Sequence, residues 1–306
     1  MKSVRILRCL AACAALLAGC GQSPTGAADG GCAESAEQAC GQQCGAGLCH
    51  RDDVCVAGQW TCFCSQCPGD MTTSDLPPGA GIHVGIPAYF SKADLWKLAT
   101  AGAPTVNLIV FDPADGPGIE PDPAYVEPIA KARAAGITVI GYLTTDYARR
   151  SIGQVKPEID RYYDFYKVSG IFFDEGPGND TCEGLEQYYR ALVAATRARD
   201  ANAFVVLNPG TDTCESYSDF FDVLLTFESS AQDYAKYKPP AWLKNHHPDR
   251  FWHLVYGVKE ADADATIRKV AANGVGRVYV TDDDLPNPWD TLPPWWAAEL
   301  ASAGGR

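Results

Sequence analysis

The chain has 306 residues, of which 46% are hydrophobic and 21% are charged. These are ordinary values for a globular protein, and they exclude a chain that is wholly disordered or fibrous. Acidic residues outnumber basic ones by 38 to 25, which gives a formal net charge of -13. A surface with this negative charge repels the phosphate backbone of nucleic acids. We therefore predict no nucleic-acid partner and expect a neutral or cationic ligand.

The N-terminus has the pattern of an export signal. Three basic residues precede a short apolar run at 9–17, which is too short to span a bilayer. The quartet Leu17-Ala18-Gly19-Cys20 then resembles the lipobox of bacterial lipoproteins, in which the cysteine is lipidated and becomes the first residue. We predict a lipoprotein signal peptide at 1–19 and a lipid on Cys20 that anchors the exported protein to a membrane, in the periplasm or at the cell surface. An ordinary secretory signal is the alternative.

Eight of the 13 cysteines fall within residues 32–67. This segment has few large apolar side chains, so it cannot bury an ordinary core, and an even cysteine count in an exported chain predicts four disulfides. The flanking residues 20–31 and 68–80 have the composition of a flexible tether and a linker. The alternative for the module is a zinc site, with ligands drawn from Cys62, Cys64 and Cys67 together with Cys55 or His50.

From residue 81 onward, apolar runs alternate with helical patterns. The runs are nearly continuous, as in parallel strands that are buried on both faces. Eight such strands with helices between them predict a (β/α)8 TIM barrel over 81–306, of the α/β class. A doubly wound open sheet shows similar alternation, but its G-x-G-x-x-G loop does not follow the first run. The predicted strands cover 82–89, 105–111, 137–143, 168–173, 203–207, 221–227, 251–256 and 277–280.

Helices are expected between these strands. Ser91 followed by Asp94 is a capping-box pattern, so we expect the first helix to begin there, with Leu95 and Leu98 in its apolar stripe and Gly102 at its end. The other predicted helices cover 124–135, 156–166, 184–198 and 264–272.

Acidic residues are concentrated after the predicted strands, where TIM barrels have their active sites. Asp174 and Glu175 directly follow the fourth strand, and Glu228 follows the sixth. A carboxyl beside an apolar strand end is partly desolvated, which raises its pKa and suits a proton donor. Helix capping or simple solvation is the alternative explanation for these acids. The acids in the four positions after each strand are Asp112, Asp115, Asp146, Asp174, Glu175, Glu228, Glu260, Asp282, Asp283 and Asp284.

Other side chains near the strand ends complete the prediction. Cys182 and Cys214 follow the fourth and fifth strands, so we expect a disulfide between two loops of the barrel mouth, with two free thiols as the alternative. His83 and His253 lie within strands and are expected to be packed and hydrogen-bonded. Aromatic candidates for stacking against sugar rings are Tyr89, Phe90, Tyr142, Tyr147, Phe227, Tyr256 and Trp289.

Several short motifs occur in one order along the barrel segment: FDPADGPG at 111–118, GYLTTDYAR at 141–149, GIFFDE at 170–175, NPG at 208–210, TFE at 226–228 and NPWDTLP at 287–293. In order and spacing they resemble spherulation-specific family 4, the spherulin-4-like proteins. The resemblance covers about residues 81–297 and excludes the signal and the cysteine-rich module.

The resemblance implies a TIM barrel similar to those of endo-α-N-acetylgalactosaminidases. Such enzymes hydrolyse exopolysaccharides that contain N-acetylgalactosamine, such as galactosaminogalactan, with two carboxylates and no cofactor or metal. The family's Asp-Glu pair maps onto Asp174 and Glu175, and its later catalytic glutamate maps onto Glu228. We expect Asp174 to be the nucleophile, Glu228 the general acid/base and Glu175 a residue that orients them; the sequence also permits the first two roles to be exchanged.

Three further residues are expected to contact the substrate: Asp112, Tyr142 and Asn208. Related sequences often have Asn at the position of Asp112, so the substrate subsite is expected to differ. An acidic mouth would attract a partly deacetylated, cationic galactosamine polymer, although surface charge that serves solubility explains the same composition. The main alternative function is a non-catalytic cell-surface or coat protein that holds polysaccharide in the same groove, and another is an enzyme of this fold that acts on a different glycan.

Overall fold

The computed structural model describes residues 82–304 together with two short strands of the cysteine-rich segment. The chain divides into two compact units, Met1–Met71 and Thr72–Arg306. In the first unit, β1 (Val54–Val56) pairs with β2 (Gln59–Thr61) in an antiparallel hairpin. The second unit contains all the other described elements.

Several predictions concern residues outside this described part. They are the signal peptide at 1–19, the lipidated Cys20, the tether at 20–31, the cysteine pairing or zinc site of the module at 32–67, and the linker at 68–80. They stay predictions. Among the described helices, none combines the length and the apolar character that crossing a bilayer requires.

Eight parallel strands close into a barrel in the second unit. They follow one another around the barrel in chain order, and the last pairs with the first. The predicted TIM barrel is therefore confirmed, since each predicted strand overlaps one observed strand. The strands are β3 (His83–Ala88), β4 (Val106–Phe111), β5 (Thr138–Thr144), β6 (Gly170–Asp174), β7 (Phe204–Leu207), β8 (Val223–Ser230), β9 (Phe251–Tyr256) and β10 (Arg277–Val280).

Helices surround this barrel and cover the outward-facing side chains of the strands. Five of them correspond to the predicted helices, and two were not predicted. They are α1 (Ala93–Ala101), α2 (Pro123–Ala134), α3 (Ile152–Tyr166), α4 (Glu186–Arg197), α5 (Ala231–Tyr234), α6 (Glu260–Ala272) and α7 (Trp296–Ala303), with short 3-10 helices at Glu215–Asp219, Ala241–Asn245 and Pro248–Arg250.

The start and the buried face of α1 differ from the prediction. The N-cap is Lys92, with no side-chain capping bond, so the capping box at Ser91 is wrong. Leu98 is 50% exposed, whereas Trp96 and Ala99 are buried. The cause is the large Trp96 ring, which takes the inward position and donates a hydrogen bond from Nε1 to the Phe90 carbonyl at 2.9 Å.

A bulge in β8 determines where Glu228 faces. Leu225 pairs with Trp252, but the next aligned pair is Phe227 with His253, so Thr226 is an extra residue in the strand. Glu228 then pairs with Leu254, and both of these side chains line the cavity described below. Glu228 lies inside the strand rather than after it, and the bulge changes the alternation that would otherwise decide its direction.

Candidate active site

A cavity of about 470 Å³ opens at the C-terminal ends of the barrel strands. This is the end of a TIM barrel at which active sites are found. Four acidic residues line it, and the aromatic rings of four residues form much of its wall. The lining consists of Tyr89, Asp112, Pro113, Ala114, Asp115, Tyr142, Phe172, Asp174, Asn208, Glu228, Leu254, Asn287 and Trp289.

Two carboxylates in this cavity share one hydrogen-bond donor. The side-chain nitrogen of Asn208, Nδ2, donates to Asp174 Oδ1 at 2.7 Å and to Glu228 Oε2 at 2.6 Å. Because both oxygens bond to the same atom, the sum of the two lengths limits their separation to about 5.3 Å. The side chain at the end of β7 thus brings together acids from β6 and β8.

The orientation of the Asn208 amide is fixed by the loop that follows it. Its Oδ1 accepts a hydrogen bond from the backbone N–H of Gly210 at 2.7 Å, which leaves the NH₂ group to face the two acids. Gly210 has a φ of 69°, a left-handed conformation that favours glycine. The Asn208 carbonyl also accepts from the N–H of Gly176 at 2.8 Å, and the Gly210 carbonyl accepts from the N–H of Glu228 at 3.1 Å. Asn208, which is predicted to contact the substrate, thus lines the cavity and also bridges the two acids.

Glu228 is well placed to hold a proton near neutral pH. Burial, together with the nearby charge of Asp174, raises the pKa of Glu228 to about 7. Hydrogen bonds from Asn208 and from the indole of Trp289 act in the opposite direction. The Trp289 Nε1–H donates to Glu228 Oε1 at 3.2 Å, so each oxygen of this carboxyl has a donor.

Asp174 is surrounded by donors that favour its ionised form. Tyr142 donates its hydroxyl to Oδ2 at 3.0 Å, and Asn208 donates to Oδ1. Burial nevertheless raises the pKa of Asp174 above its ordinary value, and these donors oppose that rise. The backbone N–H of Glu175 also acts to lower the pKa of Asp174, whereas two side-chain donors oppose the rise at Glu228. Asp174 is therefore the better prepared of the two acids to be a carboxylate while Glu228 carries the proton.

Glu175 is not among the residues that line the cavity. Its backbone is left-handed, with a φ of 54°, and its Oε2 accepts a hydrogen bond from the hydroxyl of Thr144. The buried hydroxyl of Thr145 donates to the carbonyls of Asp174 at 2.9 Å and Glu175 at 3.0 Å. The structure therefore places Glu175 in the support of the turn beside Asp174, which fits an orienting residue better than a group that contacts substrate.

Asp112 and Asp115 line the cavity on the loop after β4. Asp112 Oδ1 accepts hydrogen bonds from the backbone N–H of Gly116 at 2.7 Å and of Ala114 at 3.3 Å. Burial, helped by the charge of Asp115, raises the pKa of Asp112 to about 6 despite these two donors. Asp112 is thus in the cavity with Asp174, Tyr142 and Asn208, as the predicted site requires.

Aromatic rings form one wall of the cavity. Tyr89 meets Tyr142 edge-on, with ring centroids 5.5 Å apart, and Tyr142 stacks on Phe172 at 6.2 Å. Three of the seven aromatic candidates therefore line the site: Tyr89, Tyr142 and Trp289. The others lie elsewhere: Phe90 and Phe227 pack in the core, Tyr256 meets the edge of Trp289, and Tyr147 is 49% exposed.

The sequence of the barrel matches a known family. The profile of spherulation-specific family 4 aligns with residues 83–303, which is most of the chain. The protein belongs to spherulation-specific family 4. Spherulin-4 of Physarum polycephalum is 27% identical to this family member over 235 residues, which are 73% of the present chain and 70% of spherulin-4.

A solved structure shares the fold of this family-4 barrel. Sph3 of Aspergillus clavatus, crystallised in complex with GalNAc, superposes with a TM-score of 0.66 at 22% sequence identity. The match covers 74% of the present chain and 99% of the Sph3 chain. At this identity the similarity shows the shared barrel architecture.

Other predicted features of the family-4 barrel have clear positions. Cys182 and Cys214 form the expected disulfide between the loops after β6 and β7, with Cα atoms 5.8 Å apart. His253 is buried between Thr226 at 3.1 Å and the hydroxyl of Tyr234 at 2.9 Å, so it is packed and hydrogen-bonded as predicted. Burial lowers the pKa of His253 to about 3.

The remaining acids after the strands lie outside the cavity. Asp146 forms an ion pair with Arg149, and Glu260 is in the first turn of α6. Asp282, Asp283 and Asp284 are also absent from the cavity wall. Three features of the site were not expected from the sequence: the cavity residue Asn287, the Trp289 indole as a partner of Glu228, and Thr144 as the partner of Glu175. The NPWDTLP motif at 287–293 was the sequence pattern that contained Asn287 and Trp289.

Proposed function

We propose that this protein is an exported, endo-acting glycoside hydrolase that cleaves an amino-sugar exopolysaccharide containing N-acetylgalactosamine. The observation that carries the proposal is the pair Asp174 and Glu228, joined through Nδ2 of Asn208. Two carboxyls on either side of a scissile bond are the common catalytic equipment of glycosidases. Membership of family 4 and the fold shared with Sph3, which was solved with GalNAc, support the choice of an amino sugar.

The spacing of the two acids favours retention of configuration. Retaining glycosidases have carboxyl groups about 5–5.5 Å apart, and inverting enzymes about 6.5–9.5 Å apart, because the latter must leave room for a water molecule. The limit of about 5.3 Å between Asp174 Oδ1 and Glu228 Oε2 falls in the first class. In this mechanism Asp174 is the nucleophile and Glu228 is the general acid and base.

The reaction then has two steps. Glu228 donates its proton to the glycosidic oxygen while Asp174 attacks the anomeric carbon, so the bond to the leaving sugar breaks and a glycosyl ester forms on Asp174. Glu228, now ionised, removes a proton from a water molecule that attacks the same carbon. The ester bond breaks, Asp174 returns to a carboxylate, and Glu228 regains its proton.

The surrounding side chains assist this chemistry without reacting. Asn208 and Tyr142 hold Asp174 in one orientation, and Asn208 and Trp289 hold Glu228. The aromatic rings of Tyr89 and Trp289 offer apolar surface to the faces of sugar rings. Export, and anchoring through a lipid on Cys20, would place the enzyme where exopolysaccharide is found.

Release of reducing ends from a soluble galactosaminogalactan-type polymer tests the proposal. We expect the purified protein to release them with an early fall in chain length, as an endo-acting enzyme does, and Glu228→Gln to release few. If the wild-type and Glu228→Gln proteins both retain the polymer and neither releases ends, the protein is a polysaccharide-binding protein and the enzymatic proposal is wrong.

A further inference from the structure

The charged side chains of the cavity wall are all negative. Among the described residues that line it, Asp112, Asp115, Asp174 and Glu228 are acidic and none is basic. Hydrolysis by a retaining mechanism uses two of these acids, Asp174 and Glu228. The other two lie on the loop after β4 and have no part in the chemistry proposed above. Their presence at the site needs a separate explanation.

The carboxylate of Asp112 is held in place but has no positive partner among the residues that the structure describes. Oδ1 accepts from Gly116 and Ala114, which fixes the carboxylate on its own loop. Oδ2 accepts no hydrogen bond from a described residue. The charges that act most strongly on Asp112 are those of Asp115 and Asp174, and both are negative. A half-buried carboxylate in this setting is stabilised by any ligand that brings a positive charge to it.

Three side-chain donors of the cavity wall are already occupied by its own acids. Asn208 and Tyr142 donate to Asp174, and the Trp289 indole donates to Glu228. The Tyr89 hydroxyl and the side-chain amide nitrogen of Asn287 are the lining donors that make no hydrogen bond to a described residue. An N-acetyl carbonyl, which needs donors, therefore has these two, whereas the four acids offer many acceptors. A protonated amine has three donors and no acceptor, and it matches a wall that offers carboxylate oxygens.

We propose that the subsite beside Asp112 binds the protonated 2-amino group of a deacetylated amino-sugar unit, with Asp112 as its counter-ion and Asp115 as a second negative charge. The inference rests on the proposed function and extends it, because it assigns a specificity-determining residue and the chemical form of one sugar unit. The described carboxylates do not converge as a metal site, so an organic cation is the better match.

Paired oligosaccharides test this assignment. Two α-linked galactosamine oligomers of equal length, one fully N-acetylated and one partly deacetylated, are given to the wild-type, Asp112→Asn and Asp94→Asn proteins. Asp94→Asn removes the same charge from the exposed start of α1, which does not line the cavity. We expect the kcat/KM of the wild-type protein to be higher for the deacetylated oligomer. Asp112→Asn should lower the ratio of the kcat/KM for the deacetylated oligomer to that for the acetylated oligomer at least about tenfold, since a charge-assisted bond is lost in one case alone. Asp94→Asn should leave both values unchanged.

Binding to Glu228→Gln separates this inference from the proposed function. Calorimetry with the same two oligomers should show that Glu228→Gln binds the deacetylated oligomer more tightly. Adding Asp112→Asn to this variant should weaken that binding, and adding Asp94→Asn should leave it unchanged. If either oligomer is cleaved and Asp112→Asn does not change the ratio of the two kcat/KM values, the inference is wrong and the proposed hydrolase activity stands. If the deacetylated oligomer binds in a way that depends on Asp112 but neither oligomer is cleaved, the inference stands and the proposed hydrolase activity is wrong. No cleavage and no binding overturns both.

Discussion

Asp174 and Glu228 accept hydrogen bonds from one nitrogen atom, Nδ2 of Asn208, although the two acids belong to different strands separated by β7. Two negative charges this close repel each other, so the pair favours a state in which one acid is ionised and the other protonated, while the neutral amide between them donates a hydrogen bond to both. That asymmetric state is the one that a nucleophile and a general acid need.

Substitution of either acid is expected to stop catalysis. Glu228→Gln and Asp174→Asn should each lower kcat on a natural polymer by about 10²–10⁴-fold, because proton transfer or nucleophilic attack is lost. Glu175→Gln should have a smaller effect, since this side chain accepts a hydrogen bond from Thr144 and does not line the cavity. Initial rates of reducing-end release measure these effects. Glu183→Gln, on the surface, is the matched control, and equal losses for Glu175 and Glu228 would contradict the assignment.

The pH dependence of the reaction should report on Glu228. With a pKa of about 7 in the free enzyme, Glu228 loses its proton as the pH rises through this value, so kcat/KM should fall on the basic side. Asn208→Ala removes a donor that lowers this pKa, so the basic limb should move to higher pH while kcat falls about 10–100-fold. Asn202→Ala, in the exposed loop before β7, is the control. A lower kcat with an unmoved basic limb would mean that Asn208 does not act on Glu228.

A buried acid that does not line the cavity should limit stability at high pH. Glu299 of α7 accepts a hydrogen bond from the N–H of Val280 at 3.0 Å through Oε1, while Oε2 has no hydrogen-bond partner in the described part of the chain. Burial raises its pKa from 4.5 to about 8. Its contribution to folding is therefore complete below pH 4.5 and is lost as the pH rises to about 8, because the unfolded chain releases the proton more readily.

Glu299→Gln should remove this dependence. The amide keeps the size and the hydrogen bond to Val280 but cannot ionise. At pH 9 the variant should be more stable than the wild-type protein by up to about 4 kcal/mol, and at pH 4.5 the two should be similar. Urea unfolding at both pH values measures the difference. A constant difference across this range would show that Glu299 does not titrate as described.

The fold could be predicted from sequence because its signals are local. Strands buried on both faces appear as continuous apolar runs, and glycines such as Gly136 and Gly274 end the preceding helices. Two exceptions have physical reasons. The four-residue α5 is too short to show a period, and α7 follows two prolines and begins with bulky Trp296, which hides its helical pattern.

The site was less accessible to sequence reasoning because its geometry is non-local. The sequence indicated that Glu228 lies near the end of a strand. The direction of its side chain depends on the bulge at Thr226, which is seen only in the register between β8 and β9. The bridge through Asn208 links residues 34 and 20 positions away, and Trp289 lies 61 positions from Glu228. Sequence patterns show that such residues are near strand ends, and they do not show which atoms meet.

The disulfide between Cys182 and Cys214 should contribute mainly to stability. It closes a loop with a sequence separation of 32 residues, and loop-closure entropy predicts a stabilisation of about 3–4 kcal/mol. The double variant Cys182→Ser/Cys214→Ser should lose most of this in urea unfolding at neutral pH. An unchanged midpoint would show that the loops are held equally well by their hydrogen bonds, such as that from the Tyr217 hydroxyl to the Cys182 carbonyl at 3.0 Å.

The most direct test of the two-carboxylate account is mass spectrometry of Glu228→Gln after brief reaction with an α-glycosyl fluoride of galactosamine or N-acetylgalactosamine. Fluoride leaves without a general acid, whereas breakdown of the glycosyl ester still needs the missing base, so the covalent intermediate should accumulate. We expect a protein heavier by one sugar unit, with the sugar on the peptide that contains Asp174. Fluoride release without any adduct, or an adduct on another residue, would contradict it.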